Sequence, residues 1–383
     1  MSGQTIKLNK LLPLLLGFVV MGFIDIVGVS TGFVQKDFSL PDNLAQLIPL
    51  SAFLWFFLLS LPVGILQDKF GKRNMMNLGM LITGISMGLP FISYSFPMML
   101  TTFLLLGIGN TIVQVAANPL MHDVVPHERF SSFMSLSQFV KAICSMLGPI
   151  IASGMALWFG NWKLVFAIYG VTSLLAVLWL KFTFIEESKP DREVASFKSC
   201  LKLLNNRFVF LLVLGIFLSV GAEVGLSSNI ANFLKDKFSI SLEDASYKIS
   251  IFYTALMIGR FGGTFILNWI NPKKFLLISA TVALGSLLMF VSSKSLTLAS
   301  ISLFFAGLGF ANLFPILFAL NINKNPNRSN ELSGLMIMSV VGGAIVPPLM
   351  GLTNVAFTAQ IGMLIPVFCI AYVAGIAVYV LKK

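Results

Sequence analysis

Four ionisable side chains, Asp25, Lys141, Glu223 and Arg260, stand inside long apolar runs. Charge is costly in such segments, so residues of this kind face protein or water, pair with one another, and mark the path of an ion or a polar solute. A carboxylate in that setting can take up a proton from one side and release it to the other. Two acids and two bases also sum to zero, so structural ion pairing competes with a pathway role, most of all for Arg260 in the run GRFGG. A second pattern lies in GNTIVQVAANPLM, Gly109 to Met121, where Asn110, Gln114 and Asn118 recur every four residues in an uncharged stretch. On a helix that interval stacks the amides into one stripe. Facing lipid, each amide would cost several kcal/mol, so the stripe must face other helices or water. Gln138 beside Lys141, Ser227 and Asn229 beside Glu223, and Asn312 add further donors and acceptors. Convergent groups of this type suit a sugar, although each one alone would equally serve as a helix-to-helix hydrogen bond.

The elements that must position these groups follow from composition. Hydrophobic residues make up 57% of the chain, charged residues only 11%, and mean hydropathy is +0.90, against roughly 25% charged in a soluble domain. Twelve apolar runs of membrane-spanning length lie near 11–34, 44–67, 75–94, 97–121, 131–159, 162–185, 207–234, 246–270, 274–293, 297–322, 332–355 and 358–381. The expectation is an all-α membrane protein with twelve transmembrane helices. The first run is too long for a cleaved signal and lacks a small-residue cleavage site, so it is expected to remain as a helix. With the N-terminus inside, eighteen Lys and Arg fall in inner loops and tails and six in outer loops. That bias places both termini in the cytoplasm.

The net charge of +11 does not point to nucleic acid, because the basic residues are scattered between spans. Cys144, Cys200 and Cys369 are isolated, which argues against a disulfide framework or a metal cluster. His122 and His127 read as residues of a solvated loop rather than metal ligands. No nucleophile elbow, phosphate-cradling loop or zincin helix is present, so no enzyme activity, cofactor or metal is expected.

Shifting the chain by 200 residues aligns GFVQKDFSL (32–40) with NFLKDKFSI (232–240), and Gly107 and Gly109 with Gly307 and Gly309. It also sets the turn QDKFGKR against LNWINPK. The chain is therefore expected to hold two six-helix bundles, 1–185 and 207–383, joined by a charged cytoplasmic linker over 186–206. Six helices per half give parallel repeats related by a pseudo-two-fold axis along the membrane normal, the plan of an alternating-access carrier.

GILQDKFGKR, 64–73, resembles the loop signature of the major facilitator superfamily. In that family the turn acts as a latch made in one access state and broken in the other, which would give Gly64, Asp68, Gly71, Lys72 and Arg73 this role. AANP, Ala116 to Pro119, resembles the fourth-helix motif of the fucose, galactose and glucose proton symporters. GFIDIVGVSTGF, IGRFGGTFIL and VVGGAIVPPLMG support the match along nearly the whole chain. The resemblance implies a proton-coupled importer of a hexose, amino sugar or related sugar derivative in a bacterial inner membrane, acting as a monomer. It casts Asp25 as the proton site; from the residues themselves Glu223 is the next candidate, and Asn110, Gln114, Asn118, Gln138, Lys141, Asn229, Arg260 and Asn312 are the groups expected around the substrate. This chain departs from the group's pattern at Gln114, where a glutamate is usual, and at Lys141, where fucose permease has asparagine. Those departures leave open an anionic sugar, a uronic or sialic acid, held by Lys141 and Arg260. Drug and proton antiport is a further alternative, because GPIIASG (148–154) partly resembles the antiporter signature of the fifth helix.

Overall fold

The computed structural model describes residues 8–40, 44, 47–188, 196–240 and 242–382. Among them every regular element is helical. Twelve helices are long and apolar enough to cross a bilayer: α1 Leu8–Asp37, α2 Leu47–Phe70, α3 Lys72–Ile92, α4 Phe96–Val124, α5 His127–Phe159, α6 Leu164–Phe182, α7 Arg207–Phe238, α8 Lys248–Ile266, α9 Pro272–Ser292, α10 Leu296–Lys324, α11 Pro326–Asn354 and α12 Ala359–Leu381. Each coincides with one apolar run of the sequence. Large apolar side chains such as Phe57, Ile85, Leu175, Trp269 and Phe368 stand exposed on their outer faces, as a lipid-facing surface requires.

Helix starts are set by short polar caps. Ser95 Oγ accepts from Met98 N at the head of α4, and Ser295 Oγ accepts from Leu298 N at the head of α10. Each satisfies an N–H that the first turn leaves without a partner. Asn206 and Asn271 do the same for α7 and α9. The caps on α4 and α10 stand 200 residues apart, and so do other details. Ser39 and Ser239, beyond the ends of α1 and α7, are the two non-glycine residues with positive φ among those described. Gly107 lets α4 rest on the carbonyl of Ala52 in α2, and Gly307 lets α10 rest on that of Phe252 in α8. Gly109 meets Thr83 of α3, and Gly309 meets Ala283 of α9. Small residues at these crossings let backbones approach closely, which is how helices cohere where lipid competes for apolar contact. The duplication read from sequence is thus repeated contact by contact.

Three spans are not uniform helices. α1 tightens to 3-10 geometry over Gly22–Asp25. α10 is interrupted between Phe310 and Leu313, where Pro315 cannot donate to the carbonyl of Ala311 and crowds it. α11 passes through a 3-10 turn over Ser339–Val341.

The chain forms two compact units. The first contains Met1–His127 and Ser137–Cys200 together with Asn325–Met338 from α11. The second contains Leu201–Lys324 and Ser339–Lys383 together with Glu128–Leu136 from α5. Sequence boundaries at 185 and 207 assign both of these short stretches to the opposite half, and hydrogen bonds explain the difference. Ser132 donates to the Thr264 carbonyl of α8, and Ser135 Oγ lies 2.6 Å from the Arg260 carbonyl. In the first unit Ser333 of α11 donates to the Val115 carbonyl of α4 at 2.7 Å. That carbonyl is the one Pro119, the proline of AANP, leaves without an intrahelical donor. Of the expected linker, residues 189–195 lie outside the described residues, and Phe197–Leu203 forms a short helix. Lys7, Lys189, Arg192 and Lys383, part of the charge bias read from sequence, also lie outside them.

Candidate functional site

In the first unit the amide stripe of α4 is buried along its length. Asn110 Nδ2 donates to the carbonyls of Met21 at 3.0 Å and Val20 at 3.4 Å, just before the 3-10 turn of α1. Gln114 Nε2 donates to Asn110 Oδ1 at 2.9 Å, and Asn118 Nδ2 to the Gln114 carbonyl at 2.9 Å. Asn110 is therefore a tether between helices. Gln114 and Asn118 keep acceptor capacity, and Asn118 Oδ1 is buried with no partner.

Gly22 brings α5 onto α1: a Cβ there would lie 2.8 Å from the Lys141 carbonyl oxygen and 2.8 Å from Cys144 Cβ. One 3-10 turn further on, Asp25 is exposed and accepts a hydrogen bond from Ser145 of α5. An exposed carboxylate at this depth is tolerable only against water or a polar partner. Lys141, half-buried, does not pair with Asp25, and no hydrogen-bond or ion-pair partner for its ammonium is found among the described residues. Gln138 is buried one turn before it.

In the second unit Arg260 Nη2 of α8 meets Glu223 Oε1 of α7 at 3.5 Å, with the two side chains 14% and 21% exposed. The pairing considered from sequence thus joins α7 to α8. It leaves Arg260 Nε buried without a partner. Asn229 donates to the Gly225 carbonyl and accepts from Asn354 of α11 at 3.0 Å. Ser227 donates to the Val224 carbonyl of its own helix. Asn312 fills the interruption in α10, donating to the Gly259 carbonyl at 2.7 Å and lying 2.6 Å from Ser135 Oγ. Its amide is thus spent on the α8 backbone and on Ser135 of α5, so its polar atoms are already occupied.

The turn GILQDKFGKR divides into two parts. Gly64 lies against Asn330 and Gly334 of α11, and Asp68 accepts from Asn330 Nδ2 at 2.8 Å. Gly71, at φ 81° and ψ 150°, takes a backbone form that side chains resist. Lys72, read from sequence as part of the latch, is buried, donating to Asp123 at 2.6 Å and to Ser188 Oγ at 3.1 Å. Glu187 accepts from the backbone N–H groups of both Lys72 and Arg73, at 2.5 and 3.0 Å. It places a carboxylate at the positive end of α3, while Arg73 donates to the Thr183 carbonyl. Lys72 and Arg73 therefore join α3, α4 and the chain after α6. Asp68 alone among the charged residues of the turn has a described hydrogen bond to α11.

His122 and His127 are not a solvated pair. His122 is buried in α4, and its Nε2 lies 2.9 Å from His127 Nδ1. At the opposite end of the first unit, outside the spans, Tyr94 donates to Asp37, which also accepts from Trp162. Burial, and after it the contact with Asp37, pushes the Tyr94 phenol well above its ordinary range, so this donor keeps its proton at neutral pH.

Sequence reasoning missed Ser145, Asp123, Glu187, Asn330, Ser333 and Asn354. Ser145 carried one signal, its place one helical turn beyond Lys141. The others are polar residues in loops or in a distant span, and their pairing has no signature in spacing.

A family model described as the Major Facilitator Superfamily matches residues 14–348. The chain belongs to the Major Facilitator Superfamily. It is a multi-pass membrane transporter, as GILQDKFGKR and AANP led one to expect, and not an enzyme. This transporter is 28% identical over 380 residues to the glucose/galactose transporter of Brucella abortus biovar 1 (strain 9-941), covering 95% of this chain and 92% of that protein. It is 22% identical over 384 residues to the L-fucose-proton symporter of Escherichia coli (strain K12), covering 88% and 85%. Among solved structures it resembles FucP in the outward conformation, with a TM-score of 0.84 and 20% identity over 97% of this chain and 99% of that one. That last likeness is one of fold.

Proposed function

We propose that this transporter imports a hexose, amino sugar or related sugar derivative together with protons, by alternating access, across a bacterial inner membrane with both termini in the cytoplasm. The observation that carries the reading is Asp25, an exposed carboxylate inside α1, set at a 3-10 turn and held by Ser145 of α5. Mid-helix 3-10 turns often mark a hinge, and a carboxylate placed on one can exchange a proton as its surroundings change. The names of the relatives, glucose/galactose transporter and L-fucose-proton symporter, support both solute and coupling ion. Beside Asp25, Gln114, Asn118 and Gln138 supply donors and acceptors for hydroxyls. Glu223 with Arg260 is the candidate pair in the second unit.

The functional halves are 1–185 and 207–383, linked by 186–206, and the transporter acts as a monomer. Asp68 with Asn330, backed by Gly64, is the part of the latch that opens and closes. Lys72 and Arg73 anchor it.

Lys141 favours a second reading. Its ammonium has no acceptor among the described residues, and at this depth a cation costs at least about 2.5–3.5 kcal/mol, so a substrate carboxylate would complete it. The test is ligand-dependent melting of the purified protein against neutral sugars and sugar acids, followed by uptake into proteoliposomes under an inward proton gradient. Proton-driven uptake of a neutral sugar that survives Lys141→Asn is expected. Binding of a sugar acid alone, abolished by Lys141→Asn, would replace the neutral reading by the anionic one.

A further inference from the structure

We propose that Ser145 is a positioning residue that holds Asp25 in both protonation states by reversing the direction of one hydrogen bond. The proposal rests on Asp25 as the proton site and adds how that site is kept satisfied through a cycle.

The geometry comes from two registers meeting at Gly22. Because Gly22 has no Cβ, α5 approaches until the Lys141 carbonyl lies over it. From Gly22 the 3-10 turn of α1 advances three residues per turn to Asp25, and from Lys141 the α-helix advances about one turn to Ser145. The side chains of Asp25 and Ser145 therefore meet one turn along from the contact. Ser145 Oγ reaches two acceptors, a carboxylate oxygen of Asp25 and, at 3.0 Å, the Lys141 carbonyl of its own helix.

A hydroxyl has one proton to donate and lone pairs to accept with. When Asp25 is ionised, Ser145 donates to the carboxylate. When Asp25 is protonated, its O–H donates to Ser145 Oγ, and the serine proton turns to the Lys141 carbonyl. Neither state leaves a group without a partner, and the proton carried by Asp25 does not leave it in the exchange. A hydrogen bond to an ionised acceptor is about twice as strong as one between neutral groups, so Ser145 favours the ionised form. The other groups facing Asp25 do not offer this exchange. Lys141 and Cys144 on α5 carry no such bond to it, nor does Tyr169 on α6, which stacks on Phe23. α4 presents the uncharged Asn110 and Gln114, and α2 holds no ionisable residue before Asp68.

The experiment measures the pH profile of proton-driven uptake, and of sugar exchange at equal pH, for Ser145→Ala and Ser145→Thr in proteoliposomes. Ser145→Ala should bind the coupling proton about tenfold more tightly, moving the midpoint of uptake by about one pH unit to the alkaline side. The KM for exchange should stay unchanged, and Ser145→Thr, which keeps the hydroxyl, should follow the wild type. In an Asp25→Asn background Ser145→Ala should move nothing. An unmoved midpoint in Ser145→Ala, or equal shifts for alanine and threonine, would overturn the proposal while Asp25 remains the proton site. Wild-type accumulation by Asp25→Asn would instead remove the proton-site reading itself. Melting temperatures identify a variant that has failed to fold, in which case Ser145→Cys, a weak donor of similar size, takes the place of alanine with the same two outcomes.

Discussion

Lys72 provides a quantitative test of how the charged turn is built. Its ammonium lies 2.6 Å from Asp123, and both side chains are only 2% exposed. Lys72→Met removes one partner of a buried pair and leaves the other as an uncompensated charge, which costs about 3–5 kcal/mol. Ser188 still donates to Asp123 at 2.5 Å, which argues for the lower part of that range. One kcal/mol shifts the melting temperature by about 2–4 °C in a domain of 150–250 residues, so a fall of roughly 6–12 °C is expected. Asp123→Leu alone should fall similarly, because it strands the lysine. Lys72→Met with Asp123→Leu should recover most of the loss, since an apolar pair of similar volume often matches a buried ion pair. Buried Cys200 and Cys369 make a thiol-reactive dye a suitable reporter of unfolding in detergent. A double variant as unstable as the sum of the singles, or a Lys72→Met within about 1 °C of wild type, would refute the buried-anchor account. The turn would then be a solvated basic loop, as its composition suggests.

Asp25→Asn should abolish accumulation against a gradient while exchange persists, because the amide keeps hydrogen-bonding capacity and cannot carry a proton; uptake with and without a pH gradient reads this. Gln114→Ala should weaken sugar binding by about 1–3 kcal/mol, measured by titration, whereas Asn110→Ala should lower the melting temperature because it releases α1. Gly71→Ala forces a side chain into a backbone region that glycine alone occupies readily, with Glu187 Oε2 3.1 Å from the new Cβ. It should cost about 1–3 kcal/mol, seen as a fall in melting temperature.

The spans were legible because bilayer thickness fixes their length and lipid fixes their composition, and the repeat was legible because both halves solve the same packing problem with glycine at matching places. Polar partnerships were less so. The acceptor for Asn330 is 262 positions away, and no periodicity connects such a pair. Ser333 has meaning only once Pro119 has freed the Val115 carbonyl. The partner of Lys72 had no sign in the sequence either, since only the three-dimensional position of Asp123 at the end of α4 supplies it. The exchange of short stretches of α5 and α11 between units was also hidden, since a continuous helix gives no local sign that its two ends pack on different neighbours.

Polar groups inside the spans therefore divide by what remains of their hydrogen-bonding capacity. Asn110, Asn229 and Asn312 direct their amides to backbone carbonyls, and all three also accept from a further side chain. They form a scaffold, and replacing them should cost stability before affinity. Asp25 is tied to one serine, Asn118 Oδ1 and Arg260 Nε are buried without partners, and Lys141 has no acceptor among the described residues. A buried group left in that condition costs about 1–3 kcal/mol, and under the proposed function a sugar hydroxyl that supplies the missing partner recovers that cost. The same unmet capacity gives selectivity, because an analogue lacking one hydroxyl leaves the group as it was. Under the proposed function the amide stripe of α4 divides between Asn110, which ties α4 to α1, and Gln114 with Asn118, which keep acceptor capacity for a solute.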